Sequence, residues 1–267
     1  MERKGTDAVM KKYRVLTKKH LALATLAAFL TAVALILLAA SIPYMYANAT
    51  ASSTRRLPIH CTDRSDKVVS LTFDAAWGDE KIAELMDVLK RYDIQVTFFV
   101  TGEWVQRCEE SVRALYEAGH EIMNQGDHYT NMTQLPRDKM AANISACNDK
   151  IQAVTGVRPT LFRAPYGDYN NALLETLDAM HMSCIQWNVD ALDWKGLPAS
   201  DIIDRVVKGT QSGSIIRLNG AAAYTVQALP QIIEQLRENG YRFIPVSQII
   251  YTQDFMINSA GRQIAAA

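Results

Sequence analysis

Residues 67–100, KVVSLTFDAAWGDEKIAELMDVLKRYDIQVTFFV, decide how the fold is read. Lys67–Phe73 is an apolar run rich in β-branched residues, Asp79–Arg91 reads as a helix, and Ile94–Val100 repeats the strand composition. Two buried strands joined by a helix imply a parallel sheet covered by helices. The alternation continues outward from this unit. A helix through Val112–Ala118 leads to a short extended Glu121–Met123, a long helix over Arg137–Val154 and a strand at Leu161–Phe162. A helix over Ala172–Met180 then leads to a strand at Met182–Trp187, a helix over Ser200–Lys208 and a strand at Gly213–Leu218. The helix Val226–Asn239, stopped by Gly240, precedes a last strand at Tyr241–Val246. Repeated β-α units fit either a barrel or an open doubly wound sheet, and periodicity does not choose between them.

Polar residues gather just after the strands: Asp74, Asn124-Gln125, Arg163, the pair Asp190 and Asp193, and Asn219. In a parallel barrel these strand ends converge on one face, where active sites lie. Each residue taken singly also reads as a turn or helix cap, and for Asp193 that reading is equally good. Arg163, set before Ala164-Pro165-Tyr166-Gly167, is expected to be a buried ion-pair partner of a carboxylate such as Asp74 or Asp190.

Outside this region the chain divides by composition into a basic tail over 1–20, an anchor over 21–44, a linker over 45–64 and a tail over 253–267, around a β/α domain over 65–252. The basic tail is followed by an uncharged apolar run, Leu21–Ala40, long enough for a membrane-spanning helix. The positive flank predicts a single pass with the N-terminus cytoplasmic and the domain outside, at the cell membrane. Ala47-Asn48-Ala49 supports a competing reading, a cleaved signal peptide, although the apolar run is longer than a usual signal core. The formal net charge of the whole chain is zero, so the part beyond the basic tail is net acidic, which argues against a nucleic-acid partner. The four cysteines, Cys61, Cys108, Cys147 and Cys184, form no C-x-x-C pair; they exclude a zinc ribbon and leave their disulfide state open.

Five motifs in order carry a resemblance to a known family: Leu71-Thr72-Phe73-Asp74, Ala118-Gly119-His120-Glu121-Ile122 with Asn124, Phe162-Arg163-Ala164-Pro165-Tyr166-Gly167, Asp190-Ala191-Leu192-Asp193-Trp194, and Gly213-Ser214-Ile215-Ile216. From Val68 to about Val246 the chain resembles the polysaccharide deacetylase family, the NodB-homology domain. Asp74-Ala75-Ala76-Trp77-Gly78, the stretch Pro165–Asn171 and Gly261-Arg262-Gln263 resemble its membrane-anchored, sporulation-type branch. The resemblance implies a distorted (β/α) barrel and removal of acetyl groups from N-acetylated glycans with a divalent metal such as zinc, cobalt or manganese. It implies Asp74 as the general base, Arg163 as the residue orienting it and Asp190 as the residue tuning the general acid. The Tyr166 backbone amide would hold the oxyanion, and Asp193 and Trp194 would lie against the substrate, with Trp194 as a pocket wall.

The departures from the family pattern fall on the chemistry. Ala75, Gln125 and Tyr129 stand at the three metal-ligand positions, and Asn219 at the general-acid position. A side-chain amide coordinates weakly and does not donate a proton near neutral pH. A substitute ligand set is Asp127 and His128 together with Asp74. His120 and His181 read as structural. Three functions follow: an impaired deacetylase of N-acetylated, peptidoglycan-like glycan, a non-catalytic glycan-binding pseudoenzyme or scaffold, and an interaction domain of a membrane-bound sporulation assembly.

Overall fold

Strand β2 (Val68–Ala75) is buried along its whole length and organises the sheet. It pairs in parallel with β3 (Thr97–Val100) on one side and β8 (Ser214–Asn219) on the other. Its odd-numbered side chains, Val69, Leu71, Phe73 and Ala75, join the apolar cluster under the helices Ile82–Arg91, Ala199–Gly209 and Thr225–Glu238. The alternate side chains face the other way: Val68 joins a second cluster with Phe99, Met123, Ile185 and Ile215, and Asp74 lies at the end of this row. Each apolar side chain fully buried in these layers contributes about 1.5–3 kcal/mol.

The computed structural model describes residues 55–266 together with scattered positions between Leu23 and Leu37, which are helical and exposed. Among the described residues no helix is long and apolar enough to cross a membrane. The basic tail, much of the expected anchor and the first half of the expected linker lie outside the described residues. Arg55–Ala267 forms one compact unit.

Beyond β3 the parallel sheet continues through β4 (Glu121–Asn124), β5 (Leu161–Phe162) and β6 (Ser183–Cys184). On its other side β7 (Val189–Asp190) pairs with β8, and β9 (Arg242–Phe243) pairs with the start of β2. The result is a curled half-barrel, which decides the choice that periodicity left open. The strand expected over Met182–Trp187 is broken. After Cys184 the chain leaves β5: Ile185 still donates to Phe162 (2.8 Å), but Gln186 donates to Ile59 (2.8 Å), and pairing resumes at Val189. The last strand is shorter than Tyr241–Val246 because Pro245 caps a short helix, Val246–Ile249.

The expected linker and tail are corrected by the pairing. Strand β1 (Cys61–Thr62) lies antiparallel to β8 and parallel to β11 (Arg262–Ala265), which forms a hairpin with β10 (Phe255–Ile257). Residues 59–62 and 255–265 are therefore parts of the folded domain. Gly213 (φ +78°) permits the β1 contact, since a Cβ there would come 2.0 Å from the Thr62 carbonyl oxygen. All four cysteines are free thiols.

Two predictions follow from this packing. Gln263 is fully buried, accepts from the Tyr251 amide (2.8 Å) and donates to the Tyr251 carbonyl (2.6 Å). Gln263→Ala should cost about 1–3 kcal/mol in urea unfolding, and an unchanged midpoint would show that the hairpin adds nothing to the domain. Burial pushes the His120 imidazole from 6.5 down to about 4. Within that window the unfolded chain takes up a proton that the folded chain refuses, so stability should be full above 6.5 and fall as pH drops toward 4. Unfolding midpoints across this range check it, and His120→Phe should flatten the slope.

Candidate functional site

Strand alternation brings Asp74 from β2, Arg217 from β8 and Arg163 from the end of β5 to the inner face of the curl. Thr72 is the register partner of Arg217, and Asp74 that of Asn219, so Arg217 reaches its carboxylate from the neighbouring strand. Asp74 is 4% exposed and Arg163 fully buried. Arg163 Nη1 donates to Asp74 Oδ1 (2.9 Å) and Thr72 Oγ1 (2.8 Å), and its Nη2 donates to the Gln186 carbonyl (3.3 Å). Arg217 Nε donates to Asp74 Oδ2 (2.7 Å), and its Nη1 lies 3.4 Å from Asp190 Oδ2. The Arg163 guanidinium carbon sits 4.0 Å from the Phe99 ring centroid, and that of Arg217 sits 4.3 Å from Trp187. Both cations are thus held by aromatic faces as well as by carboxylates.

Burial alone would raise the Asp74 carboxyl pKa, but the guanidiniums of Arg163 and Arg217 outweigh it and hold the group below the usual range. Burial likewise opposes the charge on Arg217, and Asp74 and Asp190 overcome it and raise its pKa. Asp193 is pushed up by burial, although Thr225 Oγ1 (2.6 Å) and the Asn219 amide (2.8 Å) both donate to its Oδ2. Its Oδ1 accepts from the Trp194 amide (2.9 Å), so the Asp193 carboxylate ties the Trp194 turn to β8. Asn219 Oδ1 accepts from the Ala221 amide (3.0 Å) and closes a turn. Asp190 Oδ1 accepts from the Leu192 amide (2.9 Å).

Aromatic rings surround this charged floor. Tyr129 packs 5.5 Å from Trp77 and 4.7 Å from Tyr166. Burial, followed by the nearby Asp74 charge, raises the Tyr129 phenol pKa. Trp77, Tyr166 and Trp194 are each more than half exposed. Tyr166 adopts a left-handed backbone (φ +60°), which costs a non-glycine residue about 1–2 kcal/mol, and its amide donates to the Tyr129 hydroxyl (3.4 Å). The amide implied as the oxyanion donor therefore already has a partner.

The substitute metal set is corrected. Asp127 and His128 do not join Asp74, and among the described residues no group of three His, Cys, Asp or Glu side chains could hold a metal ion. Asp127 Oδ1 pairs with Lys150 Nζ (2.7 Å), and its loop docks on the start of the helix Gly102–Arg107, where a Cβ at Gly102 would meet that oxygen at 2.0 Å. His128 is turned to Glu103 Oε1 (2.8 Å). The family positions fit a metal no better. Ala75 packs in the apolar cluster under the helices, Tyr129 carries a protonated phenol among Trp77 and Tyr166, and Gln125 offers a single buried amide oxygen.

The structure brings Asp74, Arg163 and Asp190 to one place, and of the two carboxylates expected for Arg163 it pairs Asp74, while Asp190 meets Arg217. The sequence reading missed Arg217, Trp77 and Trp187. The usable signal for Arg217 was a lone charge in the buried run Ser214–Leu218, which requires a carboxylate on a neighbouring strand.

The polysaccharide deacetylase family profile matches residues 62–185. A peptidoglycan-N-acetylglucosamine deacetylase of Bacillus cereus is 30% identical over 191 residues, covering 70% of this chain and 89% of that protein. The chain belongs to the polysaccharide deacetylase family. The peptidoglycan-N-acetylmuramic acid deacetylase PdaC of Bacillus subtilis is 33% identical over 187 residues, 70% of this deacetylase-family chain but only 39% of PdaC. Among solved structures, a CE4 family pseudoenzyme from Bacillus anthracis superposes with a TM-score of 0.70 at 28% identity, covering 72% of this chain and 68% of that one. A mutant of that pseudoenzyme with restored enzymatic activity superposes equally well (TM-score 0.70, 29% identity, 72% and 70% coverage).

Asp74→Asn should leave Arg163 buried without its counter-charge and cost about 3–5 kcal/mol in chemical unfolding. Because the Asp74 pKa lies below its unfolded value, this contribution is fully present above about pH 4 and is lost as pH falls further. A wild-type midpoint matching that of Asp74→Asn at pH 7 would contradict the buried pair.

Proposed function

We propose that this chain is a membrane-anchored, extracytoplasmic member of the family that binds N-acetylated, peptidoglycan-like cell-wall glycan, and that its hydrolysis of the acetamide C–N bond is impaired or lost. One observation carries the reading: both oxygens of Asp74, the residue at the general-base position, are held by guanidiniums (2.9 and 2.7 Å). A base must take up a proton in the reaction, and two guanidiniums, one on each oxygen, stabilise this carboxylate as an anion against doing so. Asn219, already engaged in a turn, cannot protonate a leaving amine. The residues at the metal positions supply no adequate donor set.

Recognition survives where the chemistry does not. Exposed Trp77, Tyr166 and Trp194 present apolar faces for sugar rings around a polar floor, the composition of a carbohydrate groove. The relatives named for peptidoglycan deacetylation support the choice of glycan, and the pseudoenzyme from Bacillus anthracis supports a family member without turnover. The basic flank before Leu21–Ala40 supports the anchor and an outward-facing domain, and the Asp74–Gly78 and Pro165–Asn171 stretches support the sporulation-type branch.

The test is titration calorimetry with N-acetylglucosamine oligomers and peptidoglycan fragments, beside an acetate-release assay with zinc, cobalt and manganese. Binding without metal-stimulated acetate is expected, with Trp194→Ala weakening it about tenfold, roughly 1.4 kcal/mol. Metal-dependent acetate release at rates typical of enzymes would overturn the reading.

A further inference from the structure

Arg217 has more holding it than a surface arginine needs. Its Nε is 2.7 Å from Asp74 Oδ2, its Nη1 is 3.4 Å from Asp190 Oδ2, and its guanidinium lies on the Trp187 ring. It rises from β8 between Ile216 and Leu218, both fully buried, so its backbone position is fixed by the core. Its strand register beside Thr72 leaves the side chain little choice but to run along the inner face to Asp74. Arg163 already satisfies the other oxygen of that carboxylate. Two cations thus hold Asp74, one on each oxygen.

We propose that Arg217 is a resident cation that locks the site against divalent metal, independently of the three lost ligands. A divalent ion brought beside Asp74 would face two fixed guanidiniums, and each oxygen of the carboxylate already accepts a hydrogen bond from one of them. The lock is electrostatic and geometric at once. Arginine keeps its charge to high pH, so the lock does not open as pH rises. Restoring aspartate and histidine at positions 75, 125 and 129 is therefore insufficient in this chain, and position 217 must change as well. This inference rests on the reading of the site as closed to metal chemistry, and it names the residue that closes it.

The experiment compares zinc bound per full-length chain in detergent, by equilibrium dialysis and elemental analysis, across one series. The series is wild type, the triple variant Ala75→Asp/Gln125→His/Tyr129→His, and that triple variant with Arg217→Gln or Arg217→Lys. The expected result is that the triple variant with Arg217→Gln binds zinc at least tenfold more tightly than the triple variant alone. Arg217→Lys, which keeps the charge, should bind no better than the triple variant. Near-ultraviolet circular dichroism checks folding. If Ala75→Asp disrupts the apolar cluster, the same comparison in Gln125→His/Tyr129→His, which leaves Ala75 in place, reads cobalt binding and must show the same tenfold ratio. Equal affinity with and without Arg217, or no metal in any member of the series, overturns the lock. Failure of the wild type to bind N-acetylglucosamine oligomers or peptidoglycan fragments would instead overturn the proposed function and leave the Arg217 comparison standing, so the two failures are distinct.

Discussion

The carboxylate of Asp74 lies between two guanidiniums, and the arrangement of the inner face follows from what that requires. A buried carboxylate is tolerable only if its charge is met and its lone pairs are used. Arg163 meets that need from β5 while resting on Phe99, and Arg217 meets it from β8 while resting on Trp187. These two contacts join three strands across the curl at the level where the apolar layer ends. Thr72, donating to the Ile216 carbonyl (2.7 Å) and accepting from Arg163, joins the same strands one step below. The network thus belongs to the fold as much as to the groove.

That double role explains how a family site keeps its shape with other residues at the metal and general-acid positions. In a site built around a metal, the ion supplies the positive charge that several acceptors share. Here Arg217 supplies positive charge from within the chain, and the surrounding polar groups are turned to protein partners: Asp193 to Asn219 and Thr225, Asn219 to Ala221, the Tyr166 amide to Tyr129. Each of these satisfies a buried or half-buried group that would otherwise cost free energy. Trp194 and Tyr166 of the aromatic rim sit on the same turns.

Much of this was legible in the sequence. The β-α alternation and the gathering of polar residues after the strands are local signals, and they placed Asp74, Arg163, Asp190 and Asn219 at one end of the sheet. The pairing of Arg163 with a carboxylate followed from the cost of burying an arginine alone. The parts that were not legible are non-local. Nothing near Cys61 announces that it pairs with Arg262, and nothing near Cys184 announces that its strand ends because Ile59 takes over the pairing. Asp127 and His128 looked available as ligands because Lys150 and Glu103, which claim them, lie more than twenty residues away along the chain. Arg217 is legible as a lone charge in a buried run, but which carboxylate it meets depends on strand register, which side-chain composition does not encode.

The measurement that bears most directly on this account is a crystal structure of the wild-type chain grown with excess zinc, with anomalous data collected at the zinc edge. The account predicts that Arg217 Nε remains within hydrogen-bond distance of Asp74 Oδ2 and that no zinc peak appears beside that carboxylate. A zinc ion bound to Asp74, with Arg217 displaced from it, would contradict the account.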